Sequence, residues 1–195
     1  MEYIILALLW LAYFFLHSLL SSAKWKGFVE SVGISNQLYR FVYSVLSFVL
    51  FILIFLYSGS TENNNLWDVK IKMSKYFGLM ITTIGLMIIM RSFKSMSMMC
   101  FLGIKKQLQE KLVITGIHEY VRHPIYSGIL LMMIGFVLYS NSIQSLIILM
   151  TTTLYLPFGI RWEEQKLVKE YGEQYENYKS DTPAIIPKVP SHFFL

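Results

Sequence analysis

Between Pro124 and Ile160 the chain runs for 37 residues without an Asp, Glu, Lys, Arg or His. That is nearly twice the roughly 20 residues a helix needs to cross a bilayer, so the stretch is expected to cross and return. The polar pair Asn141-Ser142 near its middle predicts the turn. A hairpin brings both of its ends to one membrane face. Tyr120-Val121-Arg122-His123, which enters it, therefore becomes a neighbour of Trp162-Glu163-Glu164, which leaves it.

Three further runs are free of Asp, Glu, Lys and Arg: residues 3–23, broken only by His17, then 41–61, and the shorter 76–90. With the hairpin they predict an all-α, polytopic membrane protein of five transmembrane helices, organised as one domain over residues 1–195. A composition that is 55% hydrophobic and 15% charged agrees and leaves no room for a separate soluble domain. The run at 76–90 is too short for a hydrocarbon core of roughly 30 Å, so Arg91 must snorkel or the helix must continue into the Met-rich stretch up to Met99. Glu2 is the only early charge, and with no basic segment before it the first run is expected to remain as a helix and not to be cleaved as a signal peptide.

Lys and Arg are distributed unevenly. The loops after the first and third helices and the tail carry 14 of them, against 3 in the loop between the second and third. The positive-inside rule then puts the tail in the cytoplasm and the N-terminus outside, as expected of an inner or plasma membrane protein. This asymmetry accounts for the net charge of +5 without a nucleic-acid partner, and it suits contact with anionic membrane lipids.

Cys100 is the single cysteine, which rules out an intramolecular disulfide and any multi-cysteine metal centre. Its surroundings of Met96, Met98, Met99 and Phe101 suit a packed thiol better than a nucleophile. The four histidines show no helical ligand spacing, so no metal site is predicted. His17, inside an apolar run, is expected to face the protein interior and to hydrogen-bond another helix, with catalysis as the alternative.

Pro124 suits the first turn of a helix. The Arg122-His123 pair before it reads either as an interfacial anchor or, together with the helix N-terminus, as an anion site. Pro157 should kink the last apolar helix. Glu163-Glu164 then open a helix on which Leu167, Tyr171, Tyr175 and Tyr178 recur at spacings that give an amphipathic face, a cytosolic C-terminal helix against the membrane domain. Glu163 could simply pair with Lys166.

Several segments together carry a resemblance. They are Leu112-Val113-Ile114-Thr115-Gly116, then Tyr120 to Gly128, then Glu163 to Leu167, then Tyr171 to Tyr178, ending in Pro183 and Pro187. In this order they resemble the integral membrane methyltransferases that include isoprenylcysteine carboxyl methyltransferases and phospholipid N-methyltransferases, over a motif region at 112–190. His17-Ser18, Lys24, Tyr39-Arg40 and Tyr43 look like the bacterial NnrU-like and thiol S-methyltransferase branches. The resemblance implies methyl transfer from S-adenosylmethionine to a lipid-like or small hydrophobic carboxylate, thiol or amine at the membrane surface. It implies cofactor contacts by Gly116, Tyr120, Arg122, His123, Tyr126, Glu163, Glu164 and Tyr175, with Arg122, Tyr126 and His17 as catalytic candidates. The anionic carboxylate of the cofactor would meet Arg122 and His123, and its cationic groups Glu163 and Glu164. Ile117-His118-Glu119 departs from the Pro-Tyr-Arg common in relatives. Two other readings stay open: an NADPH-dependent enzyme similar to sterol reductases, and a non-enzymatic NnrU-like membrane protein.

Overall fold

A computed structural model of the protein describes residues 1–62, 64–67, 72–95, 99 and 112–187. Cys100 with Met96, Met98 and Phe101, His192, and the end of the motif region past residue 187 lie outside the described residues. Among the described residues the helices are, in chain order, α1 (Glu2–Ser21), α2 (Ala23–Ser31), α3 (Asn36–Ser60), α4 (Lys72–Ser95), α5 (Pro124–Ser140), α6 (Ile143–Tyr171) and α7 (Glu173–Asp181), with a 3-10 turn at Gly116–Glu119 before α5. Apolar segments in lipid must satisfy every backbone group internally, which selects helices. Short polar residues start several of them: Ser22, Ser35 and Ser142 each accept a backbone N–H from the first turn of α2, α3 and α6.

Among the described residues four helices, α1, α3, α4 and α6, are long and apolar enough to cross a membrane, and the protein is an integral membrane protein. Five spans were expected; the first limb of the hairpin, α5, is a shorter apolar helix of 17 residues and is not among these four. The run at 76–90 is lengthened as expected at its C-terminal end, where the helix continues through Arg91 and Lys94 to Ser95. Helix α4 has 24 residues in all, because polar positions at its N-terminal end, such as Ser74 and Lys75, extend it as well.

The hairpin turns at Asn141, the one described non-glycine residue with positive φ, at 50°. Asn tolerates this left-handed conformation at a helix C-terminus. Residues of the α3–α4 connection clasp the turn. The Asn141 side chain bonds both the N–H (3.3 Å) and the carbonyl (2.9 Å) of Trp67, and Gln144 Nε2 donates to Thr61 Oγ1 at 3.0 Å and to the Glu62 carbonyl at 2.7 Å.

Helices α4 and α5 form the closest helix pair. A Cβ on Gly85 would lie 2.6 Å from the Gly128 carbonyl oxygen, and one on Gly78 would lie 2.6 Å from that of Gly135. Small residues at seven-residue spacing on both helices let the backbones touch, as membrane helix packing favours. On the other side Leu6, Trp10 and Ile148 join α1 to α6, with Phe14, Phe51 and Phe136 around them.

Helix α6 runs unbroken through Pro157 for 29 residues. At 1.5 Å per residue it outreaches a hydrocarbon core of roughly 30 Å by more than two turns. Its apolar part ends at Ile160, so residues 161–171 project beyond it. Contrary to the expectation from the sequence, Glu163-Glu164 therefore do not open a new helix. They lie within α6, and the break comes at Gly172, whose φ of 56° favours glycine.

Candidate functional site

The hairpin's open end gathers the start of α5, the projecting turn of α6, α7 and the chain after it. Arg122, just before α5, is 9% exposed and reaches across to the buried Glu164, donating to Oε1 from Nε at 3.0 Å and from Nη2 at 2.6 Å. Nη1 donates to the carbonyls of Lys179, at 2.9 Å, and Thr182. Four bonds thus engage a guanidinium with five N–H donors. Lys179 Nζ contacts the other oxygen of Glu164 at 2.7 Å. Burial alone would raise the Glu164 carboxyl, but the hydrogen bonds from Lys179 and Arg122 overrule it and hold its pKa down at about 2.

The chain after α7 closes the clamp. The backbone N–H groups of Arg122 and His123 donate to the carbonyls of Pro183 and Ala184, both at 2.9 Å, and Ser127 Oγ donates to the Ile185 carbonyl at 2.7 Å. Two amides at the entrance of α5, expected to face an anion, are thus taken by the protein's own tail. Tyr178 Oη donates to the His118 carbonyl at 2.6 Å, pinning the 3-10 turn, and burial pushes the Tyr178 hydroxyl up to about 12. Burial, reinforced by the nearby His123, pushes the His118 imidazole down.

Glu163 differs from its neighbour. Its side chain is 46% exposed, against 8% for Glu164, because adjacent positions on a helix point about 100° apart. Its Oε2 accepts from Tyr126 Oη at 2.8 Å and lies 3.6 Å from His123 Nδ1. His123 stands between the two carboxylates, with Nε2 3.3 Å from Glu164, and its ring stacks on Tyr126 with centroids 5.5 Å apart. The hairpin therefore brings together Arg122, His123, Tyr126, Glu163 and Glu164, and divides them. Arg122 and Glu164 bind each other and the tail, while Glu163, Tyr126 and His123 form a polar face.

The other sequence candidates are placed as follows. Tyr175 is 1% exposed and packs on Tyr178, inside the clamp. Tyr120 is 54% exposed. Gly116, at φ 68°, donates its N–H to Glu119 at 3.0 Å and shapes the turn. His17 lies on α1 and meets α3: Tyr43 Oη is 2.8 Å from its Nδ1, and Ser47 Oγ is 3.3 Å from the same nitrogen. Sequence reasoning missed Lys179 and Thr182. Only Lys179 left a signal, as a cation one position beyond the tyrosine face.

A sequence model of the family described as Phospholipid methyltransferase matches residues 73–174, just over half of the chain and the whole of α5 and α6. The chain belongs to this family. It is 36% identical over 72 residues to the methanethiol S-methyltransferase of Crocosphaera subtropica, covering 37% of this chain and 28% of that protein. It is 33% identical over 87 residues to the protein-S-isoprenylcysteine O-methyltransferase of Schizosaccharomyces pombe, covering 44% and 37%. It is 31% identical over 87 residues to protein-S-isoprenylcysteine O-methyltransferase B of Arabidopsis thaliana, covering 44% of each. The chain thus spans less than half the length of these relatives. The family match includes His123, Tyr126, Glu163 and Glu164, so the divided carboxylate pair lies within the segment that defines the family.

Proposed function

We propose that the protein transfers a methyl group from S-adenosylmethionine to a lipid-like or small hydrophobic acceptor at the membrane surface. The observation that carries this reading is the half-exposed Glu163 carboxylate, held by Tyr126 beside His123 at the open end of the hairpin. S-adenosylmethionine presents a cationic sulfonium and ammonium, and a half-exposed carboxylate fits either charge. When bound, it would supply an electrophilic methyl group.

The residues present fit that group, with a division of labour different from the one the sequence suggested. Glu163 faces the cationic groups, Tyr126 orients Glu163, and the His123 ring is the cation-capable side chain left for the carboxylate. Arg122 and Glu164, already bonded to each other and to the tail, hold α5, α6 and the tail in register and position the face. Tyr175 and Gly116 act with them through the clamp and the 3-10 turn. Methyl transfer is an in-line displacement, so its rate depends on alignment and on excluding water more than on a strong acid or base. The tail folded across the start of α5 provides that enclosure.

The whole chain forms one domain with five spans, α5 being the short one, and the site faces the cytoplasm with the N-terminus outside, in keeping with the 14-to-3 bias of Lys and Arg. Acceptors enter from the bilayer, as fits relatives named for a small thiol and for a prenylated cysteine. The test is calorimetric titration of the detergent-purified protein with S-adenosylmethionine, S-adenosylhomocysteine and NADPH. Binding of the first two is expected. Binding of NADPH alone would overturn the proposal.

A further inference from the structure

Where the chain leaves α1 it stays at the membrane face that carries the candidate site. Lys166 Nζ, on the projecting part of α6 about a turn after Glu163, donates to the Ser21 carbonyl at 3.1 Å. Tyr39 Oη, near the start of α3, donates to the Leu20 carbonyl at 2.7 Å. The end of α1, the start of α3 and the projecting part of α6 are thus bonded into one corner. The extended backbone of Ser22 ends α1 there, its side chain caps α2 through the Trp25 N–H, and α2 packs on both α1 and α3.

Helix α2 suits the plane of a membrane surface. At about 100° per residue Trp25, Phe28 and Val29 fall on one stripe, with Lys24 to one side of it and Lys26 to the other. Trp25 is 37% exposed and Phe28 59%, their rings edge to face with centroids 5.8 Å apart. Aromatic rings left open beside the ends of spanning helices belong at headgroup depth, and lysines beside them reach toward the phosphates. Lys24 is exposed and Lys26 half-buried. Burial, then the neighbouring charges of Lys166 and Arg40, push the Lys26 ammonium down, against Glu170 and Glu30. Cations from α2, α3 and α6 therefore converge on this corner and outnumber the two carboxylates beside them.

We propose that this corner binds an anionic phospholipid, its phosphate held by Lys26, Arg40 and Lys166 and its acyl chains covering Trp25 and Phe28. The two halves of the corner select that occupant. The exposed rings call for acyl chains and the surplus of cations for an anion, and an anionic phospholipid supplies both in one molecule. A free phosphate supplies only the charge. A zwitterionic headgroup brings its own ammonium and leaves the surplus in place. The lipid is a bound ligand here and not the methyl acceptor, so the inference stands apart from the methyltransferase reading. Its consequence for the candidate site is positional: through Lys166 and Ser21 the lipid braces the end of α1 against the stretch of α6 that carries Glu163.

The test uses the full chain in detergent and needs no turnover. Native mass spectrometry reads the binding of dioleoylphosphatidylglycerol and dioleoylphosphatidylcholine, with inorganic phosphate as competitor. The wild type should bind phosphatidylglycerol about tenfold or more tightly than phosphatidylcholine, and inorganic phosphate should not displace it. Lys26→Gln should cut that preference about fivefold, the share of one cation near an acidic headgroup, and Lys26→Arg should keep it. Lys75→Gln, which removes a cation at the other end of the α4–α5 pair, should change nothing. The second readout is local and holds even if Lys26→Gln fails to fold. Phosphatidylglycerol brominated on its acyl chains should quench the tryptophan fluorescence more than brominated phosphatidylcholine, and Trp25→Phe should remove most of that difference. Equal binding of the two lipids, displacement by inorganic phosphate, a wild-type preference in Lys26→Gln, or a quenching difference unchanged by Trp25→Phe would overturn the proposal.

Discussion

Replacing Glu164 by glutamine separates the two adjacent carboxylates. Glu164 is 8% exposed and compensates Arg122, which is 9% exposed, through two short hydrogen bonds, and Lys179, which is 47% exposed, through one. Breaking a buried ion pair from one side costs about 3–5 kcal/mol, because the partner charge stays behind without compensation. Here the lower end applies. Arg122 keeps the Lys179 and Thr182 carbonyls, and Lys179 can turn to water. The expected cost is therefore about 3 kcal/mol of stability, concentrated where the tail crosses α5. The same change at Glu163 removes a half-exposed group and should cost well under about 1 kcal/mol. The assay is thermal unfolding in detergent with limited proteolysis of the tail. Glu164→Gln should lower the midpoint and open residues 179–187 to cleavage, and Glu163→Gln should do neither. Equal effects from the two variants, or a stable Glu164→Gln, would refute the division of the pair.

Acid should loosen the same clamp. The Glu164 carboxyl is depressed to about 2 from an ordinary value near 4.5, so its stabilisation is complete above about 4.5 and is lost as pH falls from there toward 2. Protease sensitivity of the tail should rise in that window in the wild type, and much less in Glu164→Gln. Gly85→Val should disrupt the α4–α5 pair, because its Cβ would press on the Gly128 carbonyl, a backbone atom that cannot turn away; the expected loss is about 1–3 kcal/mol or more, while Gly59→Ala, in open space, should leave the unfolding midpoint unchanged. Reporters active on one membrane side, fused after Leu195 and in the loop at Asn64, should be active in the cytoplasm and outside, respectively; an active tail reporter outside would invert the orientation.

The hairpin was legible because charge-free length is a one-dimensional property, and its turn because Asn141 tolerates a left-handed backbone. The meeting of Arg122 with Glu164 followed from that topology. Burial of one glutamate and exposure of the other did not, since it depends on the rotational phase of α6, which runs on through Pro157 where the sequence suggests a disturbance. The tail's return was equally hidden. The carbonyls of Thr182, Pro183 and Ala184 do the binding, and a backbone carbonyl leaves no mark in residue type. His17 was readable as inward-facing, but the contact of its neighbour Ser18 with Tyr155 was not, since Tyr155 is one tyrosine in an apolar run.

The central claim is that the half-exposed Glu163 carboxylate receives the cationic end of S-adenosylmethionine. Calorimetric affinity of the Glu163→Gln protein for that ligand tests it most directly. Losing one charge-assisted hydrogen bond costs about 1.5–3 kcal/mol, so the predicted affinity falls about ten- to a hundredfold with the unfolding midpoint unchanged. An affinity equal to wild type would contradict the claim and leave Glu163 a solvated turn of α6.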